Sequence, residues 1–162
     1  MPPTPYDLAR RADEVVTHLR QFEVWAPSVT GAVVDPRSDE VEDLVPVAGD
    51  PTHYRLFTFR RQARITGRLL LDTRDAKVLE VRGVKQAGAE LAPFVDPLEA
   101  LRRHPALAPL PAITAGSLRM AWKYCAQSTS RFRPFWQATI NHQTLYIRVD
   151  GVIFADLTNS DR

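Results

Sequence analysis

Arginines interleaved with aromatic residues are the part of this sequence best suited to chemistry. Five arginines crowd residues 54–68, where Tyr54, Phe57 and Phe59 lie among them, and two more flank Phe132. On a sheet, guanidinium groups that bind phosphate and rings that stack on bases are typical of single-stranded nucleic-acid binding. The candidate residues for binding nucleic acid or another partner are Arg55, Arg60, Arg61, Arg64, Arg68, Arg131 and Arg133.

The same residues also fit a purely structural interpretation. Alternation along a strand places Phe57 and Phe59 on one face and Thr58 and Arg60 on the other. The rings would then fill the core while the arginines face water. Some arginines would pair with the acidic residues near 35–43, where we expect residues 35–40 to form a turn or mobile loop.

The other reactive residue types show no catalytic or metal-binding pattern. The histidines His18, His53, His104 and His142 lack the local spacing of a metal site. Cys125 falls on an apolar stripe, which predicts a buried thiol and not a nucleophile. The acidic segment lacks the spacing of a calcium loop, and no glycine-rich phosphate loop or nucleophile elbow occurs. We therefore predict no cofactor or metal, and the sequence favours a protein that is not an enzyme.

Composition places the chain among ordinary globular proteins. Of its 162 residues, 44% are hydrophobic and 25% are charged, and the formal net charge is +2. A charge this small provides no general attraction to nucleic acid or membrane. No apolar stretch approaches the roughly 20 residues that span a bilayer, and the start of the chain does not resemble a secretory signal. We expect a cytoplasmic protein without a membrane partner, and the oligomeric state stays open.

The predicted elements form a helix-plus-strands unit that occurs twice. Thr4 as the cap, Pro5 at the first position and Asp7 predict an amphipathic helix over residues 5–22. Short strands follow over residues 53–84. A second helix is predicted over residues 115–128, with Thr114 as its cap, and strands follow over residues 135–157.

These elements predict an α+β protein made of two helix-plus-antiparallel-meander units. The first unit covers residues 1–92 and the second covers residues 115–162. Residues 93–114 connect them through a short helix capped by Asp96 and a proline-rich linker. We expect the units to pack into one compact domain, in which they can share one curved sheet.

Each unit closes on a similar hairpin. Gly67 to Asp72 turns into Lys77 to Val81, and residues 145–150 turn into residues 152–157. The first hairpin resembles the closing hairpin of PepSY-type domains, and a helix followed by a meander is similar to the cystatin-like architecture. The resemblance implies a tandem of non-catalytic modules that bind or restrain other proteins, often peptidases, and usually outside the cytoplasm.

The sequence thus predicts a non-catalytic binding or regulatory module that engages a protein or peptide. An exposed strand edge would provide the means, because a partner can add a strand there. The alternative is single-stranded nucleic-acid binding through the arginine-rich strands. A further alternative is a small-ligand carrier or enzyme of NTF2-like shape, with a pocket between a curled sheet and its helix.

Overall fold

The structure is a computed structural model that describes residues 1–104, 118–140 and 142–158. The helices are α1 (Pro5–Leu19), α2 (Ala26–Val29) and α3 (Pro97–Arg103), with a 3-10 turn at Glu23–Trp25. The strands are β1 (Val33–Asp43), β2 (His53–Arg61), β3 (Arg64–Asp72), β4 (Val78–Gly83), β5 (Arg119–Trp122), β6 (Phe135–Ile140), β7 (Gln143–Arg148) and β8 (Ile153–Phe154). The predicted α+β class is confirmed.

The described chain divides into two compact units. The first comprises residues 1–40 and 53–92, and the second comprises residues 41–52 and the described residues from 93 onward. In the first unit the strand order is β4-β3-β2-β1, with antiparallel pairing between β2 and β3 and between β3 and β4. In the second unit the last three residues of β1 pair with β5 in parallel, and β5-β6-β7-β8 follow in antiparallel order.

Helix α1 begins as its capping residues predict. The backbone N–H of Asp7 donates to Oγ1 of Thr4 at 3.1 Å, and the N–H of Thr4 donates to Oδ2 of Asp7 at 2.9 Å. This reciprocal pair satisfies two backbone donors that would otherwise lack partners at the helix start. The buried face of α1 then packs on β2 and β3. The core of the first unit contains Leu8, Ala12, Val16, Val29, Ala32, Val34, Phe57, Phe59, Leu69 and Leu71.

Strand β1 corrects the prediction of a loop at residues 35–40. The acidic segment is extended, and its side chains meet the arginines of β2. Arg55 donates to Oγ of Ser38 at 2.9 Å and lies 3.7 Å from a carboxylate oxygen of Glu40. Arg60 lies 3.9 Å from Asp35. Opposite charges across neighbouring strands stabilise pairing that β propensity alone would not predict.

The second predicted helix, residues 115–128, is wrong in its described part. Residues from Leu118 onward contain strand β5 and a tight turn in which Cys125 bridges Ser128. Met120, Ala121 and Trp122 are consecutive and all buried, as expected of a strand with both of its faces covered, because successive side chains point to opposite faces. A short apolar run does not distinguish such a strand from a buried helix. The predicted cap Thr114 and the proline-rich linker lie outside the described residues.

Helix α3 instead supplies the helix of the second unit. Asp96 caps it, because the backbone N–H of Leu98 donates to its Oδ1 at 2.9 Å, as the sequence predicts. Leu101 is fully buried and belongs to a cluster with side chains of β6 and β7. The members of this cluster are Leu101, Ala138, Ile140, Leu145 and Ile147.

Each of the two predicted hairpins contains an aspartate held by an arginine. Asp72, at the end of β3, accepts the backbone N–H of Arg74 at 2.8 Å and a guanidinium N–H of the same residue at 2.7 Å. Asp150 accepts two guanidinium donors of Arg148, each at 2.8 Å. These side-chain hydrogen bonds are the main cause that holds the pKa of both carboxyl groups below the ordinary value. The resemblance to PepSY-type and cystatin-like domains stays a prediction.

We expect Asp72→Asn to lower the free energy of unfolding at pH 7. The expected loss is about 1–2 kcal/mol, the lower part of the range for hydrogen bonds to a charged group, because the Arg74 side chain is half in water. A lowered pKa in the folded state means that this contribution is present above the ordinary carboxyl pKa and is lost as the pH falls through the folded value. Urea unfolding at pH 7 and pH 3 measures it.

The matched control for this prediction is Asp13→Asn on the exposed side of α1. That substitution should change the free energy of unfolding by no more than about 0.5 kcal/mol at either pH. A loss for Asp72→Asn that is equal at pH 7 and pH 3 would contradict a role for the ionised carboxylate.

Candidate functional site

The arginines of β2 are occupied by contacts within the first unit. Arg55 bonds Ser38, and Arg61 donates to backbone carbonyls around α2, namely Thr30 at 2.7 Å and Pro27 at 3.2 Å. Carbonyls at the end of a helix lack intrahelical donors, so a guanidinium that reaches them stabilises the helix end. Arg61 therefore has a structural role in holding α2 against the sheet.

The arginines of β3 bind the segment that follows β4. Arg64 donates to the carbonyl of Gly88 at 3.2 Å, and Arg68 donates to the carbonyl of Ala92 at 2.8 Å. The two differ in accessibility, because Arg64 is exposed whereas Arg68 is only 8% exposed. Both side chains therefore help to fix the path of residues 84–92 over this end of the sheet.

Arg68 belongs to a charge row, formed with Arg60, Arg82 and Asp39, that the sequence did not predict. Arg68 stands directly opposite Arg82 of β4, and Arg60 and Asp39 also act on it. Burial, followed by the like charges of Arg60 and Arg82, lowers the pKa of Arg68 to about 10. Burial is likewise the main cause that raises the pKa of Asp39, which Asp35 raises further. Only the register between β3 and β4 brings Arg82 into this row.

Arg131 occupies a separate charge cluster in the second unit. Its Nη2 lies 3.0 Å from a carboxylate oxygen of Asp50 and 3.7 Å from one of Asp43. Its guanidinium also stands 5.0 Å from the centre of the Trp122 ring, within the range of a cation–π contact. The carboxylate of Asp43 is 1% exposed, so Arg131 neutralises a buried charge. The remaining candidate, Arg133, pairs with Asp150 at 3.1 Å on the surface.

The seven candidate arginines thus have partners within the chain and do not form one exposed face. The aromatic residues predicted to stack on bases, Tyr54, Phe57 and Phe59, are fully buried. Base stacking needs an accessible ring face. The nucleic-acid alternative therefore lacks the rings it requires on these strands, and it stays a prediction.

The outer side of β4 is a strand edge that no described strand of the first unit covers. Strand β4 ends the strand order of that unit, and no described strand pairs with its outer side. The N–H of Val84 donates to the carbonyl of Thr66 in the β3 direction at 3.1 Å. Successive residues of an antiparallel strand direct their backbone groups to opposite sides. The N–H and C=O groups of Val81 and Gly83 therefore point away from β3.

The side chains of β4 alternate in character along this edge. Glu80 and Arg82 are exposed, whereas Val78 and Val81 are half-buried and pack against the core under α1. The ladder is irregular between Leu70 and Leu71, where Leu79 has no residue opposite. One face of β4 is therefore apolar and packs on the core, whereas its other face is charged and exposed to solvent.

A pocket of about 510 Å³ lies at the start of α1. It opens on the surface, and side chains of the first unit's core lie between α1 and the sheet. The NTF2-like alternative, which needs a pocket between sheet and helix, stays a prediction. The residues that line the surface pocket are Met1, Pro2, Pro3, Thr4, Asp7, Arg10, Arg11, Glu14 and Ala76.

Within residues 1–104, 118–140 and 142–158, no group of three or more His, Cys, Asp or Glu side chains is placed to hold a metal ion. In the same part of the chain, no helix has the length and apolar character needed to cross a membrane. No family model, curated protein or solved structure matches this chain.

Proposed function

We propose that this chain is a non-catalytic binding module that holds an extended segment of a protein as an additional strand beside β4. The observation that carries the proposal is the outward direction of the backbone groups of Val81 and Gly83 on the last strand of the first unit. Strand addition of this kind obtains affinity from main-chain hydrogen bonds and specificity from side chains on alternate positions.

The side chains of β4 suit such a partner. Val78 and Val81 are held by the core beneath α1, so the edge is rigid before a partner arrives. A preorganised edge loses little conformational entropy on binding. Glu80 and Arg82 stand on the opposite face, where they can select a segment that carries the complementary charges in alternate positions.

A selection of short random peptides displayed on phage tests this function. We expect selected peptides to protect the backbone N–H groups of Val81 and Gly83 from hydrogen exchange. Val81→Pro removes one outward donor without removing a bond to β3, a change that an edge strand tolerates. It should weaken the binding of a selected peptide about tenfold, the equivalent of one backbone hydrogen bond.

The matched control is Val81→Thr, which keeps the β-branched shape and the N–H. It should bind the selected peptide nearly as well as the parent chain. Protection at sites outside β4, or equal binding by the proline and threonine variants, would contradict strand addition at this edge.

A further inference from the structure

We infer that the strand added beside β4 is β4 of a second copy of this chain, paired antiparallel about a two-fold axis. This inference rests on the proposed function and names its partner. Two-fold pairing uses the same edge on both copies and leaves no open edge between them. It therefore closes the assembly at two copies and covers a surface that otherwise invites indiscriminate strand pairing.

The backbone directions restrict the possible registers. When two identical strands pair antiparallel about one central residue, each residue before the centre on one copy faces the residue equally far after the centre on the other copy. Centring on Val81 makes the two Val81 residues exchange both of their outward hydrogen bonds. The same register places Glu80 opposite Arg82 of the second copy, and Arg82 opposite Glu80 of the second copy.

The neighbouring registers bring like charges together. Centring on Glu80 places the two Glu80 side chains opposite each other, and centring on Arg82 does the same for the two arginines. Side chains directly opposite across two strands are about 4.5–5.5 Å apart at Cβ, so like charges there are destabilising. Only the register centred on Val81 forms two opposite-charge pairs. The sequence Glu80-Val81-Arg82 is therefore complementary to itself.

The charge row on the sheet supports the same occupant. Arg82 stands directly opposite Arg68, so β4 carries a positive charge beside another positive charge. Glu80 of a second copy would add a negative charge next to Arg82 on its outer side. A partner carboxylate at this position would offset the repulsion between the two arginines.

Sedimentation equilibrium over a wide range of concentrations tests the inference with charge swaps. The parent chain should form a dimer. Glu80→Arg creates two Arg–Arg pairs and Arg82→Glu creates two Glu–Glu pairs, so each should weaken dimerisation at least about tenfold. The double variant Glu80→Arg/Arg82→Glu restores both opposite-charge pairs and should dimerise like the parent.

A mixture of the two single variants provides a decisive readout. In a heterodimer of Glu80→Arg with Arg82→Glu every cross-strand charge pair is favourable, so the mixture should dimerise about as tightly as the parent, although each variant alone dimerises at least about tenfold more weakly. The controls Glu90→Arg and Arg102→Glu make the same changes in net charge at exposed positions outside β4, and they should leave dimerisation unchanged.

Two results would overturn the inference. One is a monomer at every concentration, and the other is a dimer that the swaps at Glu80 and Arg82 do not affect. Neither result decides the proposed function, because protection of Val81 by a selected peptide tests that function separately. If the parent is a monomer and the peptide protects β4, the partner of β4 is not a second copy, and the proposed binding function stands.

Discussion

Replacement of Arg131 by methionine is expected to lower the free energy of unfolding by about 3–5 kcal/mol, the usual cost of removing one partner from a buried ion pair. The carboxylate of Asp43 is buried, and Arg131 is the cation that lies beside it and beside Asp50. Methionine retains much of the apolar stem but none of the charge. The variant would leave the buried carboxylate of Asp43, which also accepts the backbone N–H of Val45 at 3.1 Å, without this cation.

Urea unfolding of the parent and the variant at pH 7 measures this effect. The control is Arg133→Met, because Arg133 pairs with Asp150 on the surface, where both side chains are well exposed. That change should cost no more than about 1 kcal/mol. Adding Asp43→Asn to the Arg131→Met variant removes the buried negative charge and should recover part of the lost free energy of unfolding. Equal losses in the free energy of unfolding for Arg131→Met and Arg133→Met would contradict the argument that the burial of Asp43 causes the larger effect.

The second large effect is expected at Gly67, where alanine should cost about 2–3 kcal/mol through overpacking. Gly67 lies opposite Phe59 in the β2–β3 ladder, and the Phe59 ring covers its α-carbon. An added Cβ would clash with that ring and would lie 2.7 Å from the carbonyl oxygen of Arg82. Phe59 is fully buried in the core under α1, so the ring cannot move aside without displacing other side chains.

A double-mutant cycle with Phe59→Leu separates the clash from other effects. Leucine is shorter than phenylalanine, so Gly67→Ala should cost less by about 1 kcal/mol or more in that background. Gly49→Ala is the control, because no described residue beyond its two chain neighbours lies within 4 Å of the added Cβ there, whereas its positive φ of +89° opposes the substitution. Its cost should be roughly 1–2 kcal/mol. Additive losses for Phe59→Leu and Gly67→Ala would show that the ring is not the obstacle.

Local patterns were sufficient to predict the elements whose stabilisation is local. The cap formed by Thr4 and Asp7 lies within one turn of helix, so the sequence contains both partners. The alternation of β2 and β3 marked both strands, and the turn between β3 and β4 follows where Asp72 precedes Arg74. Each of these features depends on residues only a few positions apart.

Strands whose stabilising partners are distant in sequence were not predicted, because local patterns contain only near neighbours. Strand β1 carries acidic residues whose types predict a loop, and it is a strand because β2, whose arginines meet these acidic side chains, lies beside it. Strand β5 has a short apolar run that fits a helix equally well, until β1 and β6 occupy its two sides. Spacing along the chain does not reveal such neighbours.

By itself, the sequence determined the α+β class, the capped first helix, the two hairpins and the residues from which a site could be built. The tertiary structure alone decided which guanidinium meets which carboxylate, as with Arg131 and Asp50, which are 81 positions apart. It also decided that the rings beside the arginines are buried and that no described strand pairs with the outer side of β4. The physical reason is that burial and strand register arise from long-range packing, whereas caps, turns and alternation arise from bonds between near neighbours.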